Sequence, residues 1–140
     1  MIKNIILIYP AFERGGVKKN FLNYLKLFQK KFSRINIISD KKIFEEVKSD
    51  RKIKIYTVNS YKSDFTYKYL TSLISAYKIY KLRNIGDKNN IRILSFQSSF
   101  FPSIICSILG LKLIIRISED PVGATIYSDN FFSSFLVMLS

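Results

Sequence analysis

The chain has 140 residues, 48% of them hydrophobic, which is enough for one domain with a buried core. Because it has no histidine and one cysteine, it excludes Ser-His-Asp and Cys-His catalysis, histidine metal sites and an internal disulfide. The net charge of +13 predicts an anionic partner, either a phosphorylated ligand, an anionic membrane surface or nucleic acid. The lysine-rich composition of an AT-rich genome is the alternative explanation. Arginine is scarce and no basic block is dense, so we expect no nucleic-acid partner.

The first predicted element is a short buried strand over residues 5–8, which Tyr9-Pro10 ends. The pair Gly15-Gly16 follows, and after it comes a helical apolar stripe of Val17, Phe21, Tyr24, Leu25, Phe28 and Phe32. Glycine has no Cβ, and the free N–H groups of a first helical turn carry partial positive charge. This corner therefore suits a phosphate or another anion. A plain strand-to-helix turn is the alternative interpretation.

Strands and helices alternate along the rest of the chain. Strands are predicted at 35–39, 53–58, 91–96 and 111–117, a short turn or helix at 41–48, and helices at 65–83 and 101–109, with Gly110 as a helix C-cap. Nearly continuous apolar strands between helices predict a Rossmann-like, doubly wound parallel α/β sheet. Ligands of such a sheet bind beyond the carboxyl ends of its strands, where we expect loops 10–16, 96–99 and 118–129 to meet.

Arg116 lies on an otherwise apolar strand, so it needs a partner if it is buried. Either Glu119 or Asp120 could pair with it, or its charge could reach the cleft. The two carboxylates are neighbours that would point to opposite sides of an extended backbone, so their spacing does not indicate a glycosidase pair.

The helix near 65–83 has Leu70, Leu73, Ile74, Tyr77 and Tyr80 on one side, within a segment rich in tyrosine and lysine. An aromatic and basic helix suits an anionic membrane interface. It is also typical of an ordinary amphipathic helix with its tyrosines on the sheet. Single-stranded nucleic acid is a third interpretation.

Residues 130–140 begin a further apolar helix and stop without a C-cap. We therefore expect one Rossmann-like domain over residues 1–129 in a truncated chain, or one half of something larger.

Two stretches are distinctive beside the element order: F-E-R-G-G-V-K-K-N-F at 12–21 and I-I-R-I-S-E-D-P at 114–121. Together with the element order, they resemble the N-terminal, acceptor-side domain of GT-B glycosyltransferases of family 4, the subfamily 4-like group. The resemblance implies transfer of a sugar from a nucleotide-sugar donor to a glycan or lipid-linked acceptor, without a metal or another cofactor. It places one group of residues at the donor phosphate and acceptor loop and another in the acceptor-side cleft. The first group is Arg14, Gly15, Gly16 and Lys18, and the second is Ser98, Arg116, Ser118, Glu119 and Asp120.

The resemblance assigns no catalytic residue, because the loop after the fifth strand lacks the histidine that family members often carry there. It also implies a C-terminal GT-B domain that supplies the nucleoside site and is missing from these 140 residues. We therefore expect the chain alone to be inactive. The expected location is the cytoplasm, with peripheral attachment to the inner face of the plasma membrane. A noncatalytic basic module that binds an anionic membrane surface or polymer is the alternative, and a small flavodoxin-like or receiver-like fold is a third hypothesis.

Overall fold

Strand β1 (Asn4–Tyr9) lies in the middle of the sheet, and all six of its residues are buried. The computed structural model describes residues 3–9, 16–39, 41–47, 50–58, 64–96 and 99–116. In this part of the chain, β1 and four further strands form one parallel sheet in the order β3-β2-β1-β4-β5. The other strands are β2 (Arg34–Ser39), β3 (Ile53–Thr57), β4 (Ile91–Ser95) and β5 (Lys112–Ile115).

Helices cover both faces of this sheet, each over its own hydrophobic cluster. Helix α1 (Gly16–Lys31) buries Phe21 and Leu25 on one face. Helices α2 (Asp64–Leu82) and α3 (Phe100–Leu109) cover the opposite face, where Ile79 and Cys106 are buried. The predicted α/β architecture, a Rossmann-like parallel sheet between helical layers, is therefore confirmed for the described residues.

Short elements and strand ends differ from the predictions in detail. The turn predicted at 41–48 contains the 3-10 helix Lys41–Glu45, and the turn after α2 contains a second one, Lys88–Asn90. Helix α2 runs from Asp64 to Leu82, within one residue of the predicted 65–83, and strand β5 ends at Ile115, so that Arg116 follows the strand. Gly110 is the predicted C-cap of α3: its φ is 66°, and its N–H donates to the carbonyls of Cys106 and Ser107.

Tyr77 and Tyr80 do not lie on the buried side of α2, so the interpretation that placed the tyrosines on the sheet is wrong for these two residues. Tyr77 is 55% exposed and Tyr80 is 42% exposed. Short side chains face inward instead: the Ser72 hydroxyl accepts a hydrogen bond from the Phe101 N–H at 3.0 Å, and the Ser75 hydroxyl donates to the Thr71 carbonyl at 2.7 Å. Small residues whose hydroxyls are satisfied let α2 approach α3 closely, and Leu73, Tyr77 and Tyr80 point outward.

None of the described helices combines the length and the apolar character that crossing a bilayer requires.

Candidate functional site

The strand order reverses direction at β1, and this reversal locates the candidate site. Strands β2 and β3 lie on one side of β1, whereas β4 and β5 lie on the other. In open parallel sheets of this kind, the connections diverge at such a switch point and leave a crevice beyond the carboxyl ends of the strands. The switch point of this chain therefore lies between the ends of β1 and β4, next to the first turn of α1.

Hydrogen bonds join the carboxyl ends of neighbouring strands into a continuous floor. The Ser39 hydroxyl donates to the Tyr9 carbonyl at 2.6 Å, which ties β2 to β1. The Phe96 N–H donates to the Ile8 carbonyl at 2.9 Å, and the Arg116 N–H donates to the Ser95 carbonyl at 2.9 Å. Backbone hydrogen bonding between neighbouring strands thus continues one residue past the ends of β4 and β5. The backbone of Phe96 and Arg116 is therefore held in place.

Two serines lie at the β4 end of this floor. The hydroxyl oxygens of Ser95 and Ser99 are 2.8 Å apart, and both residues are buried. The Ser103 hydroxyl donates to the Ser99 carbonyl at 2.6 Å, which connects the pair to the first turn of α3. The pair is therefore part of a hydrogen-bonded network that fixes the start of α3 against the end of β4.

An aromatic cluster forms the α1 side of the crevice. The ring centroids of Tyr9 and Phe21 are 5.1 Å apart, and those of Phe21 and Phe96 are 5.2 Å apart in an edge-to-face arrangement. Tyr24 extends the cluster outward, with its centroid 6.0 Å from that of Phe96. Tilted and edge-to-face packing at these distances is favourable, so this wall is rigid and apolar.

Arg116 places a cation against this wall. Its guanidinium carbon lies 5.9 Å from the ring centroids of both Tyr24 and Phe96. Its Nη1 atom is buried and has no hydrogen-bond partner among the described residues. A guanidinium group carries five N–H donors, and a buried donor without an acceptor costs free energy. The arrangement therefore suits an anionic acceptor such as a phosphate, which arginine can bind through two parallel hydrogen bonds.

Lys18, in the first turn of α1, forms an ion pair with Glu46. The two residues are 28 positions apart, and Glu46 follows the 3-10 helix Lys41–Glu45. Their side chains are 20% and 41% exposed, so water screens the pair and a competing anion can reach it. The predicted phosphate contact of Lys18 therefore has to compete with this carboxylate.

The described residues bring the predicted site residues together only in part. Gly16 is the first residue of α1, and Lys18 lies in the same turn. Arg116 lies beside Tyr24, about two turns further along α1. The remaining predicted residues lie outside the described residues: Arg14, Gly15, Ser98, Ser118, Glu119 and Asp120. Whether Arg116 pairs with either acidic residue is thus untested.

Sequence analysis missed the neighbours of Arg116 and of Lys18. Tyr24 was assigned to the core stripe of α1, yet it is 40% exposed and lies next to the guanidinium group. Ser95 is the last residue of β4, and its position at a strand end could have identified it. No local pattern pointed to Glu46, because its partner comes from another element.

Cys106 does not provide a nucleophile for this site. It is buried within the cluster under α2 and α3, and burial raises the pKa of its thiol from 9.0 to about 11. The thiol is therefore protonated at neutral pH. Among the residues that the structure describes, no three His, Cys, Asp or Glu side chains lie close enough together to hold a metal ion.

No family model, curated protein or solved structure matches this chain. The resemblance to GT-B glycosyltransferases of family 4 therefore stays a prediction.

Proposed function

We propose that this domain binds the diphosphate of a nucleotide sugar at the carboxyl edge of its sheet, as the N-terminal half of a glycosyltransferase. The observation that carries the proposal is the buried Nη1 atom of Arg116, which has no acceptor among the described residues. A phosphate oxygen would satisfy this donor and neutralise the charge. The neighbouring rings of Tyr24 and Phe96 limit the access of water and so strengthen the interaction.

The first turn of α1, about two turns from Tyr24, also supports an anionic ligand. The helix begins at Gly16, and its first turn contains no acidic residue. The unpaired N–H groups of a first helical turn attract negative charge, and a glycine there lets a ligand approach the backbone. Lys18 could exchange its contact with Glu46 for a phosphate, because both side chains are partly exposed.

The chemistry that these groups would assist is the departure of a nucleoside diphosphate. The oxygen of the acceptor hydroxyl forms a bond to the anomeric carbon, and the bond between that carbon and the diphosphate oxygen breaks. The leaving oxygen gains negative charge, and the hydroxyl proton passes to the leaving diphosphate. Preorganised cations and N–H groups lower the free energy of such a transition state. We assign this role to Arg116 and to the first turn of α1.

The transferase assignment rests on the resemblance of residues 12–21 and 114–121 to the family 4 group. It implies that a second domain binds the nucleoside and that the acceptor is a glycan or lipid-linked. Without that second domain, residues 1–140 would bind the diphosphate weakly and would not transfer the sugar. It would work in the cytoplasm, since nucleotide-sugar donors are supplied there.

Calorimetric titration of UDP, GDP and their sugars into the full chain tests the proposal. We expect a millimolar or tighter dissociation constant. Arg116→Leu removes the charged donor and should weaken binding by roughly tenfold or more. Arg116→Lys keeps the positive charge and should therefore weaken binding less than Arg116→Leu. Gly16→Val should also weaken binding, because its side chain would fill the space that the ligand needs.

Arg92→Leu is the matched control. Arg92 lies at the amino end of β4, where its guanidinium group donates to the carbonyls of Asn89 and Ile91. The variant removes the same charge from the opposite edge of the sheet and should leave the affinity within about twofold of wild type. A folded wild-type protein that binds none of these nucleotides would refute the proposal, as would equal losses in Arg116→Leu and Arg92→Leu.

A further inference from the structure

Helices α2 and α3 together expose an apolar surface, which we call the α2–α3 face. Leu73, Ile74, Tyr77 and Tyr80 of α2 and Ile105 of α3 line it, and we include the exposed Ile108, about one turn beyond Ile105 on α3. Leu73 is 52% exposed and Ile108 is 72% exposed. A groove of about 520 Å³ runs along the face and is lined almost entirely by apolar and aromatic side chains. A contiguous apolar surface of this kind is typical of an interaction site.

The charged residues in most of α2 and in the turn after it are positive, and the nearest acidic residues along the chain are Asp64 at the start of α2 and Asp87. Between residues 65 and 86 the chain has lysines and arginine but no aspartate or glutamate, and α3 has no charged residue. The Lys81 ammonium lies 5.5 Å from the Tyr77 ring centroid, and the Arg83 guanidinium lies 3.8 Å from that of Tyr80. The cations are therefore held at the edge of the apolar surface, directly on its tyrosines.

We propose that the α2–α3 face docks the protein onto the surface of an anionic phospholipid bilayer. Apolar side chains such as Leu73 and Ile108 would enter the boundary between head groups and acyl chains, to a depth of roughly 5–10 Å. Tyrosine suits this boundary, because its ring is apolar and its hydroxyl can stay in water. Lys81 and Arg83 would then lie at the level of the lipid phosphates.

Charge complementarity favours a bilayer over a second copy of the chain. A symmetric dimer through this face would bring the like cations Lys81 and Arg83 of the two copies together, and α2 has one acidic residue, Asp64, at its far end. An anionic lipid surface supplies both the apolar layer and the opposite charge. This inference goes beyond the proposed function and does not depend on it.

Two single-tryptophan variants of the full chain test the orientation directly, because the sequence has no tryptophan. Tyr77→Trp places the probe on the α2–α3 face, and Leu27→Trp places it on α1. The two positions start at nearly equal exposure, 55% and 54%. With phosphatidylcholine vesicles that contain phosphatidylglycerol, we expect the emission of Tyr77→Trp to shift to shorter wavelength and that of Leu27→Trp to stay unchanged. Equal shifts, or none in either variant, would overturn the proposed orientation.

Vesicle sedimentation then measures the contributions of charge and apolar surface. Lys81→Gln/Arg83→Gln should lower the partition coefficient by about fivefold per charge. Leu73→Ser/Ile108→Ser should lower it at least as much, and Lys26→Gln/Lys30→Gln on α1 should change it by less than about twofold. Circular dichroism confirms that each variant is folded.

Three results would overturn the proposal. The first is equal binding to vesicles of phosphatidylcholine alone, and the second is a loss of binding in the α1 control as large as that in the α2–α3 variants. The third is a dimer in sedimentation velocity that Leu73→Ser/Ile108→Ser dissociates, with no binding of the wild type to vesicles.

Discussion

The ammonium group of Lys18 contacts the carboxylate of Glu46, so an ion pair links the first turn of α1 to the connection between β2 and β3. Because both groups are partly exposed, Glu46→Gln should change the free energy of unfolding by less than about 1 kcal/mol. It should also tighten nucleotide binding, since Lys18 no longer has to leave a carboxylate. Urea denaturation and calorimetry measure the two effects. Weaker nucleotide binding by Glu46→Gln would contradict a phosphate role for Lys18.

The raised pKa of the Cys106 thiol predicts that the folded protein loses stability at high pH. The folded state keeps the thiol proton up to a pKa of about 11, whereas the ordinary value is 9.0. Below pH 9 the thiol is protonated in both the folded and the unfolded state, so the stability is fully present. As the pH rises toward 11, the thiol of the unfolded chain ionises first, and the folded state loses stability relative to it. The difference in unfolding free energy between wild type and Cys106→Ala should fall by about 2–3 kcal/mol over this range. Subtracting the unfolding free energy of Cys106→Ala from that of the wild type cancels the contributions of titrating lysines and tyrosines. A difference that does not change between pH 9 and pH 11 would contradict the raised pKa of Cys106.

Asn36 on β2 is 1% exposed, and its Nδ2 atom has no hydrogen-bond partner among the described residues. Asn36→Leu keeps the branching at Cγ and removes this donor, so we expect it to raise the free energy of unfolding by about 1 kcal/mol. Asn36→Asp is the matched variant of equal shape. It buries a charge instead and should destabilise the protein by more than this amount. Thermal and urea unfolding of the three proteins test the order, and a destabilised Asn36→Leu would show that the amide has a partner.

Substitutions of Gly110 measure the free-energy cost of backbone strain at the end of α3. Its φ is 66°, and a Cβ added there would meet no other atom within 4 Å. Gly110→Ala should therefore cost about 1 kcal/mol of stability through its left-handed conformation alone, with no contribution from crowding. Asparagine adopts this conformation more readily, so Gly110→Asn should be affected less. If alanine and asparagine have the same effect, the conformation of the cap is not the cause.

The fold was predictable from the sequence because parallel strands that are buried on both faces must be apolar along their whole length. All six residues of β1 are buried, and a run such as Ile5 to Ile8 therefore identifies a central strand. Gly110 was predictable for an equally local reason, since the αL conformation at a helix end favours glycine.

The orientation of α2 was not predictable from hydrophobicity. That criterion buries Leu73 and Tyr77, whereas the helix buries Ser75 and also Ser72, which contacts the start of α3. The burial of small residues on α2 arises because α2 and α3 approach each other closely, and the sequence of neither helix alone encodes this approach. Arg116 could be identified from its own sequence context, but its aromatic neighbours come from α1 and from the end of β4, so its surroundings become visible only in the folded chain.

The central position of β1 has a consequence for how the chain folds during synthesis. The strand that leaves the ribosome early needs neighbours on both sides, and these are β2 at Arg34–Ser39 and β4 at Ile91–Ser95. Until β4 has emerged, one edge of β1, which contains the apolar run from Ile5 to Ile8, stays unpaired and open to pairing with other chains. The closure of this edge is a long-range event, which makes it a slow step compared with the formation of any helix. Translation speed through the segment between β3 and β4 thus sets how long the nascent protein is exposed to aggregation.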